Sequence, residues 1–134
     1  MEQHVVSYEE ALEAFKEATS HYEGTLKLIS DTEAEFTATN EFERHFNVSL
    51  HEGGKTEWKN VRRKIPTRIS IKEGLDYDGK RFIGVNVDEN TCEFMGGRAF
   101  PCRTLQSVKE SLESFLKDFN FVERKGGYEQ LSLF

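Results

Sequence analysis

Four histidines and two cysteines are the first residues to weigh as metal ligands or reactive groups. His4, His21, His45 and His51 fall in separate expected elements, and no pair has zinc-finger or HExxH spacing. His45 and His51 flank one expected strand on the same parity, where half-buried or exposed strand histidines are the ordinary reading. Cys92 and Cys102 are too few for a disulfide framework and too far apart for a CxxC pair, so they read as small buried hydrophobes in a reducing compartment. Catalysis would need a nucleophile with its base, or paired carboxylates in a pocket. The sequence has no GxSxG, no phosphate loop and no GxGxxG after a strand. Asp76, Asp78, Asp88 and Glu89 are expected in loops, where carboxylates serve turns. No catalytic residue, metal or cofactor is assigned. The densest cluster with chemical potential is Trp58, Lys59, Arg62, Arg63, Lys64, Arg68 and Lys72, because cations neutralise phosphate while an indole stacks on a base. Against it stands an isoelectric point near 5.3, far from that of a dedicated nucleic-acid binder.

The elements that must position these residues are readable from periodicity. Ser7 and Glu10 form a capping box, after which Tyr8, Leu12, Phe15, Thr19 and Tyr22 repeat at helical spacing, with Gly24 as the stop. From Thr25 the period becomes two. Leu26 and Leu28, then Ala34, Phe36 and Ala38, then Phe42, Phe46, Val48 and Leu50 read as separate short strands, turned at Ser30 with Asp31 and at residues 51–54. Residues 56–65 carry only Trp58 and Val61 as interior apolar positions, and Pro66 is expected to exclude a central strand position. Residues 68–71 and 81–87 alternate again, and a turn at 88–90 leads to a strand at 91–95 that Gly96 and Gly97 end. A second helix is expected over 105–119, capped by Thr104 or by a Ser107/Glu110 box, with Leu105, Val108, Leu112, Phe115, Leu116 and Phe119 as its buried stripe. The expected architecture is α+β: a mostly antiparallel sheet of five to seven strands packed by an N-terminal and a C-terminal helix. Residues 1–120 form one domain, and 121–134 form a flexible tether and tail.

Length and composition agree with this. A chain of 134 residues buries about two-thirds of its unfolded surface and supports one core. Eleven phenylalanines supply bulk that a 37% apolar content would otherwise lack. No window approaches the roughly 18 consecutive apolar residues of a membrane span, and the first residues resemble neither a secretory signal nor a transit peptide, so a cytoplasmic protein is expected. Charge is uneven. Residues 1–54 hold three basic and twelve acidic side chains, and residues 55–103 hold eleven and seven. Such a dipolar surface can steer partners of either sign, although simply solvated helix and strand faces are the readier account of it.

The most specific signal lies at the end of the sequence. Gln130, Leu131, Ser132, Leu133 and Phe134 spell QLSLF, which resembles the pentapeptide by which bacterial replication and repair proteins dock on the DNA sliding clamp. All five positions match the form Gln-Leu-Ser/Asp-Leu-Phe. The resemblance covers these five residues alone and implies nothing about the fold of the rest. It implies a hydrogen bond from Gln130 at a pocket rim, a shallow subsite for Leu131, a spacer role for Ser132 and a deep apolar pocket for Leu133 and Phe134. Burying the last two side chains removes about 200–300 Å² from water, on the order of 5–8 kcal/mol before ordering costs. Residues 123–130 extend roughly 25 Å, enough to let the body stand clear of a clamp. The competing expectation is a final strand docked on a sheet edge, although Leu131, Leu133 and Phe134 do not share one parity.

Three functions follow as expectations. The first is a small non-catalytic protein, encoded by a bacterium, a phage or a mobile element, that docks on the sliding clamp as a recruited factor or a replication inhibitor. The second is an anti-restriction or other anti-defence protein whose charged body blocks a nucleic-acid enzyme. The third is a nucleic-acid binder using the cluster from Lys59 to Lys72 with Trp58.

Overall fold

The computed structural model describes residues 5–49, 53–54, 56–90 and 95–124. The order is α1 (Tyr8–Ser20), β1 (Thr25–Ser30), β2 (Glu33–Ser49), β3 (Thr56–Leu75), β4 (Arg81–Asn90), β5 (Met95–Cys102) and α2 (Leu105–Asp118). The five strands form one antiparallel sheet in sequence order, and the two helices lie side by side on one of its faces, α1 over β3 and α2 over β4 and β5. This is the α+β arrangement expected from the periodicity. Among the described residues no helix is long and apolar enough to cross a membrane.

Local chemistry sets the helix ends. The Ser7 hydroxyl accepts from the Glu10 amide at 3.1 Å while the Glu10 carboxylate accepts from the Ser7 amide at 3.1 Å, closing the capping box. Thr104 caps α2 by accepting from the Ser107 amide at 3.1 Å. At the other end of α2, Asn120 takes a left-handed conformation (φ 58), and the Phe121 amide donates back to the Leu116 carbonyl at 3.1 Å. That is a Schellman stop with asparagine in the place glycine usually takes.

Strand pairing puts one residue from each strand into common rows. Phe36 lies opposite Ile69, Ile69 opposite Val87, and the neighbouring row runs Ala34, Ile71, Val85, Phe100. Apart from Phe100, which is exposed, these rows meet Phe15 and Ala11 of α1 and Leu112, Phe115 and Leu116 of α2 in one core. Phe115 stacks on Phe100 at 5.5 Å and meets Phe119 edge-on at 6.2 Å.

Several sequence expectations are corrected here. The two strands expected between Ala34 and Leu50 are one, because Asn40 continues the buried parity of β2: it is 1% exposed, and its amide donates to the Phe119 carbonyl at 2.9 Å. Residues 56–65 and 68–71 likewise merge into β3, a central strand that includes Pro66. The β4 ladder begins at Thr67, so a residue without an amide proton leaves no β4 carbonyl unpaired. No turn falls at 88–90, since β4 runs through Asn90; the expected strand positions 91–94 lie outside the described residues. Gly96 and Gly97 begin a strand rather than end one. A Cβ on Gly97 would sit 2.6 Å from the Val87 carbonyl oxygen, so a side chain does not fit that approach. Asp88 and Glu89 belong to β4, and Glu89 is buried. Of the turn expected at 51–54, Gly53 and Gly54 are described and both have positive φ (71 and 63); residues 51 and 52 lie outside the described residues.

Candidate functional site

Gln130, Leu131, Ser132, Leu133 and Phe134 lie outside the described residues. What the fold supplies is the place and direction in which the chain leaves the body. Phe121, expected to open the tether, is 7% exposed and packs its ring 5.8 Å from that of Phe36. Beyond it Glu123 bridges antiparallel to Tyr22, the Glu23 amide donates to the Val122 carbonyl at 2.7 Å, and the Arg124 amide donates to the His21 carbonyl at 2.9 Å. The Arg124 guanidinium adds a bond from Nε to the Tyr22 carbonyl at 2.8 Å. The body therefore continues through Arg124. Because the bridge is antiparallel, the chain at Arg124 heads from Gly24 toward His21, away from the β1 edge.

The basic cluster is placed on β3, and register divides it. Arg62, Lys64 and Arg68 lie opposite Glu43, Glu41 and Thr37 on the helix-free face of the sheet, with Trp58 on the same parity. Lys59 and Arg63 lie opposite Phe46 and Phe42 and belong to the other face. A run that looks contiguous in sequence is thus two half-clusters facing opposite ways. The helix-free half is also answered by carboxylates. Arg62 Nε lies 3.4 Å from Glu41, Arg68 lies 3.1 Å from Asp88 and 3.8 Å from Glu35, and Lys72 is in register with Glu33. Lys59 lies 3.7 Å from Glu57 on its own strand. Such exposed pairs contribute only about 0.2–1 kcal/mol each, but they hold opposite charges in alternation along the ribbon. Phosphate would have to displace Glu41 at Arg62, and Asp88 and Glu35 at Arg68. Trp58 remains 60% exposed.

The helix-free face also carries a shallow, open depression of about 660 Å³ lined by Thr25, Thr37, Thr39, Pro66, Arg68 and Asp88. Among the described residues that line it the cation is Arg68, held by Asp88 and Glu35, and the lining also includes Glu23. Among the described residues no three His, Cys, Asp or Glu side chains gather as a metal site. Of the histidines and cysteines, His21 caps α1 and is exposed and Cys102 is buried, whereas His4, His51 and Cys92 lie outside the described residues.

Two features went unread in the sequence. Arg103 pairs with Asp76, whose second oxygen accepts from the Asp78 and Lys80 amides at 2.9 Å each. The Arg103 bond, followed by these backbone donors, holds the Asp76 carboxyl below the usual carboxylate range. This clamps the β3–β4 turn to the β5–α2 junction. The second is Tyr8, 4% exposed, whose hydroxyl has no hydrogen-bond partner among the described residues. Burial, and then the charges of Glu33, Asp31 and Glu9, push its phenol pKa up.

No protein-family model matches the chain, and no curated protein or solved structure is significantly similar to it.

Proposed function

We propose that this protein is a small interaction module that docks on the bacterial DNA sliding clamp through Gln130, Leu131, Ser132, Leu133 and Phe134, in the cytoplasm where that clamp works. The observation that carries the reading is the five-of-five match of QLSLF to the clamp-binding pentapeptide. Two structural facts support it. Among the described residues the core runs from Val6 to Phe121. The chain at Arg124, the last described residue, runs from Gly24 toward His21, away from the start of β1.

In this reading Leu133 and Phe134 fill the clamp's apolar pocket, Leu131 takes the adjoining subsite and Gln130 bonds at the rim. A clamp pocket occupied by this tail is closed to other proteins that use the same peptide, so the protein competes with them as well as being recruited. The nucleic-acid reading of the β3 cluster draws less support, because register splits its cations between two faces and pairs them with glutamates. The test is a calorimetric titration of a purified bacterial sliding clamp with the full chain and with the Leu133→Ala/Phe134→Ala variant. Binding by the first and none by the second is expected. Equal binding by both, or none by either, rules the proposal out.

A further inference from the structure

The longest pairing in the sheet is not fully used by the body. β2 and β3 pair from Glu33 with Lys72 to Ser49 with Thr56, yet the β1 ladder stops at Thr37 and the β4 ladder at Thr67. Among the residues whose burial is described, the outermost buried ones on the two strands are Phe42 and Ile65, at 3% and 2% exposure. Past them, residues 43–49 and 56–64 form a ribbon that no third strand joins among the described residues, about 24 Å long at the rise of a strand. A two-stranded ribbon alone is marginal in water. Here the alternation of Glu41, Glu43, Arg62 and Lys64 helps to hold its base, but the described body offers it no covering layer.

The arm and the tail belong to the same end of the molecule. The Asn40 amide donates to the Phe119 carbonyl at 2.9 Å and the Asn120 amide to the Glu41 carbonyl at 3.1 Å, so the arm rises beside the C-terminus of α2. The chain runs on from that terminus through Phe121 to its last anchor at Arg124. From Arg124 to Gln130 there are six Cα steps, at most about 20 Å. This is shorter than the reach read from the sequence, because the anchor lies later in the chain. A protein seated on the pentapeptide is therefore held close to the body, at the end from which an arm of comparable length projects.

We infer that the β2–β3 arm is a second contact surface for the protein that takes the C-terminal pentapeptide, engaging it through the face that carries Trp58, Arg62 and Lys64. This rests on the clamp reading above and adds to it a body that grips its partner rather than trailing from it. The side chains suit the role. Tryptophan and arginine are the residue types that dominate interface hot spots, and Trp58 is 60% exposed on the arm. Linking two weak contacts through one short tether makes the second effectively intramolecular, which raises affinity without strengthening either contact.

The test compares binding to a purified bacterial sliding clamp by the full chain, by a synthetic peptide of residues 125–134, by a chain with residues 44–61 replaced by Asn-Gly, and by Trp58→Ala/Arg62→Ala. The Asn-Gly turn closes the hairpin on the Glu43 and Arg62 pair with a two-residue loop. The double substitution leaves the whole ribbon in place and keeps the test open should the shortened chain fail to fold. The full chain is expected to bind at least tenfold tighter than the peptide, and either arm variant to fall to within about threefold of it. If the peptide binds and the full chain binds no tighter, or Trp58→Ala/Arg62→Ala retains the full affinity, the arm has no such role and the clamp reading stands. If neither peptide nor chain binds, both fall.

Discussion

Replacing Asn40 with leucine should destabilise the protein by about 2 kcal/mol, whereas replacing Tyr8 with phenylalanine should not destabilise it at all. Both side chains are buried, at 1% and 4% exposure, and both carry polar atoms into the layer between sheet and helices. They differ in what those atoms meet. The Asn40 amide donates to the Phe119 carbonyl at 2.9 Å, which ties β2 to the last turn of α2. The Tyr8 hydroxyl has no partner among the described residues. Leucine at position 40 removes a bond worth about 0.5–1.5 kcal/mol net and strands a buried carbonyl at a cost of about 1–3 kcal/mol, partly offset by extra apolar burial. Phenylalanine at position 8 removes a desolvated hydroxyl that gains nothing from folding, so stability should hold or rise by up to about 1 kcal/mol. With a urea slope of about 2 kcal/mol per molar, Asn40→Leu moves the unfolding midpoint down by roughly 1 M. Urea titrations followed by far-ultraviolet circular dichroism, with exposed Thr39→Ala as a control, read these shifts. An unchanged midpoint for Asn40→Leu, or a fall for Tyr8→Phe as large as that for Asn40→Leu, would refute the reasoning.

Other perturbations give equally definite expectations. Phe115→Ala opens a cavity between Phe100 and Phe119 and should cost about 3–5 kcal/mol in the same titration. Gly24 has φ 154, and a Cβ there would lie 2.4 Å from the Phe36 ring, so Gly24→Ala should destabilise by about 2–3 kcal/mol in the same assay. Asp76 has a folded pKa depressed by Arg103 and by backbone donors. Its contribution is fully present above the unfolded carboxylate pKa and is lost as pH falls through the lower folded value. The melting-temperature gap between wild type and Asp76→Asn should therefore be constant near neutral pH and narrow in acid below the ordinary carboxylate range, and a gap independent of pH down to that point would contradict the clamp between turn and junction.

The helices and the fold class were legible because each helix carries its own instructions. Ser7 and Glu10 mark the start of α1, and the stripe from Leu105 to Phe119 marks α2. Strands were legible wherever apolar residues alternate, whether buried as at Ala34 and Phe36 in β2 or exposed as at Leu26 and Leu28 in β1. In β2 the even positions Ala34, Phe36 and Phe42 read as buried, but Asn40 broke the pattern, and the carbonyl of Phe119 that satisfies it is 79 positions away. Residues 56–64 have no period-two apolar pattern, with Trp58 exposed and Val61 half-buried as their only interior apolar residues, so sequence periodicity had little to record there. Gly97 reads as a turn residue until the Val87 carbonyl is seen beside it. The pentapeptide was the reverse case, read from residue types alone, and its residues lie outside the described ones. What the structure adds to it is the anchor at Arg124, and the arm rising at the same end of the body.

The central claim is that residues 130–134 are the contact with a sliding clamp. The most direct measurement is a titration of isotope-labelled full chain with an unlabelled bacterial clamp, followed by amide resonances. Selective loss or shift of the signals of Gln130 to Phe134 at micromolar clamp, absent when Leu133 and Phe134 are alanine, is the predicted result. Signals from those five residues that stay unmoved while the clamp is in excess would contradict the account.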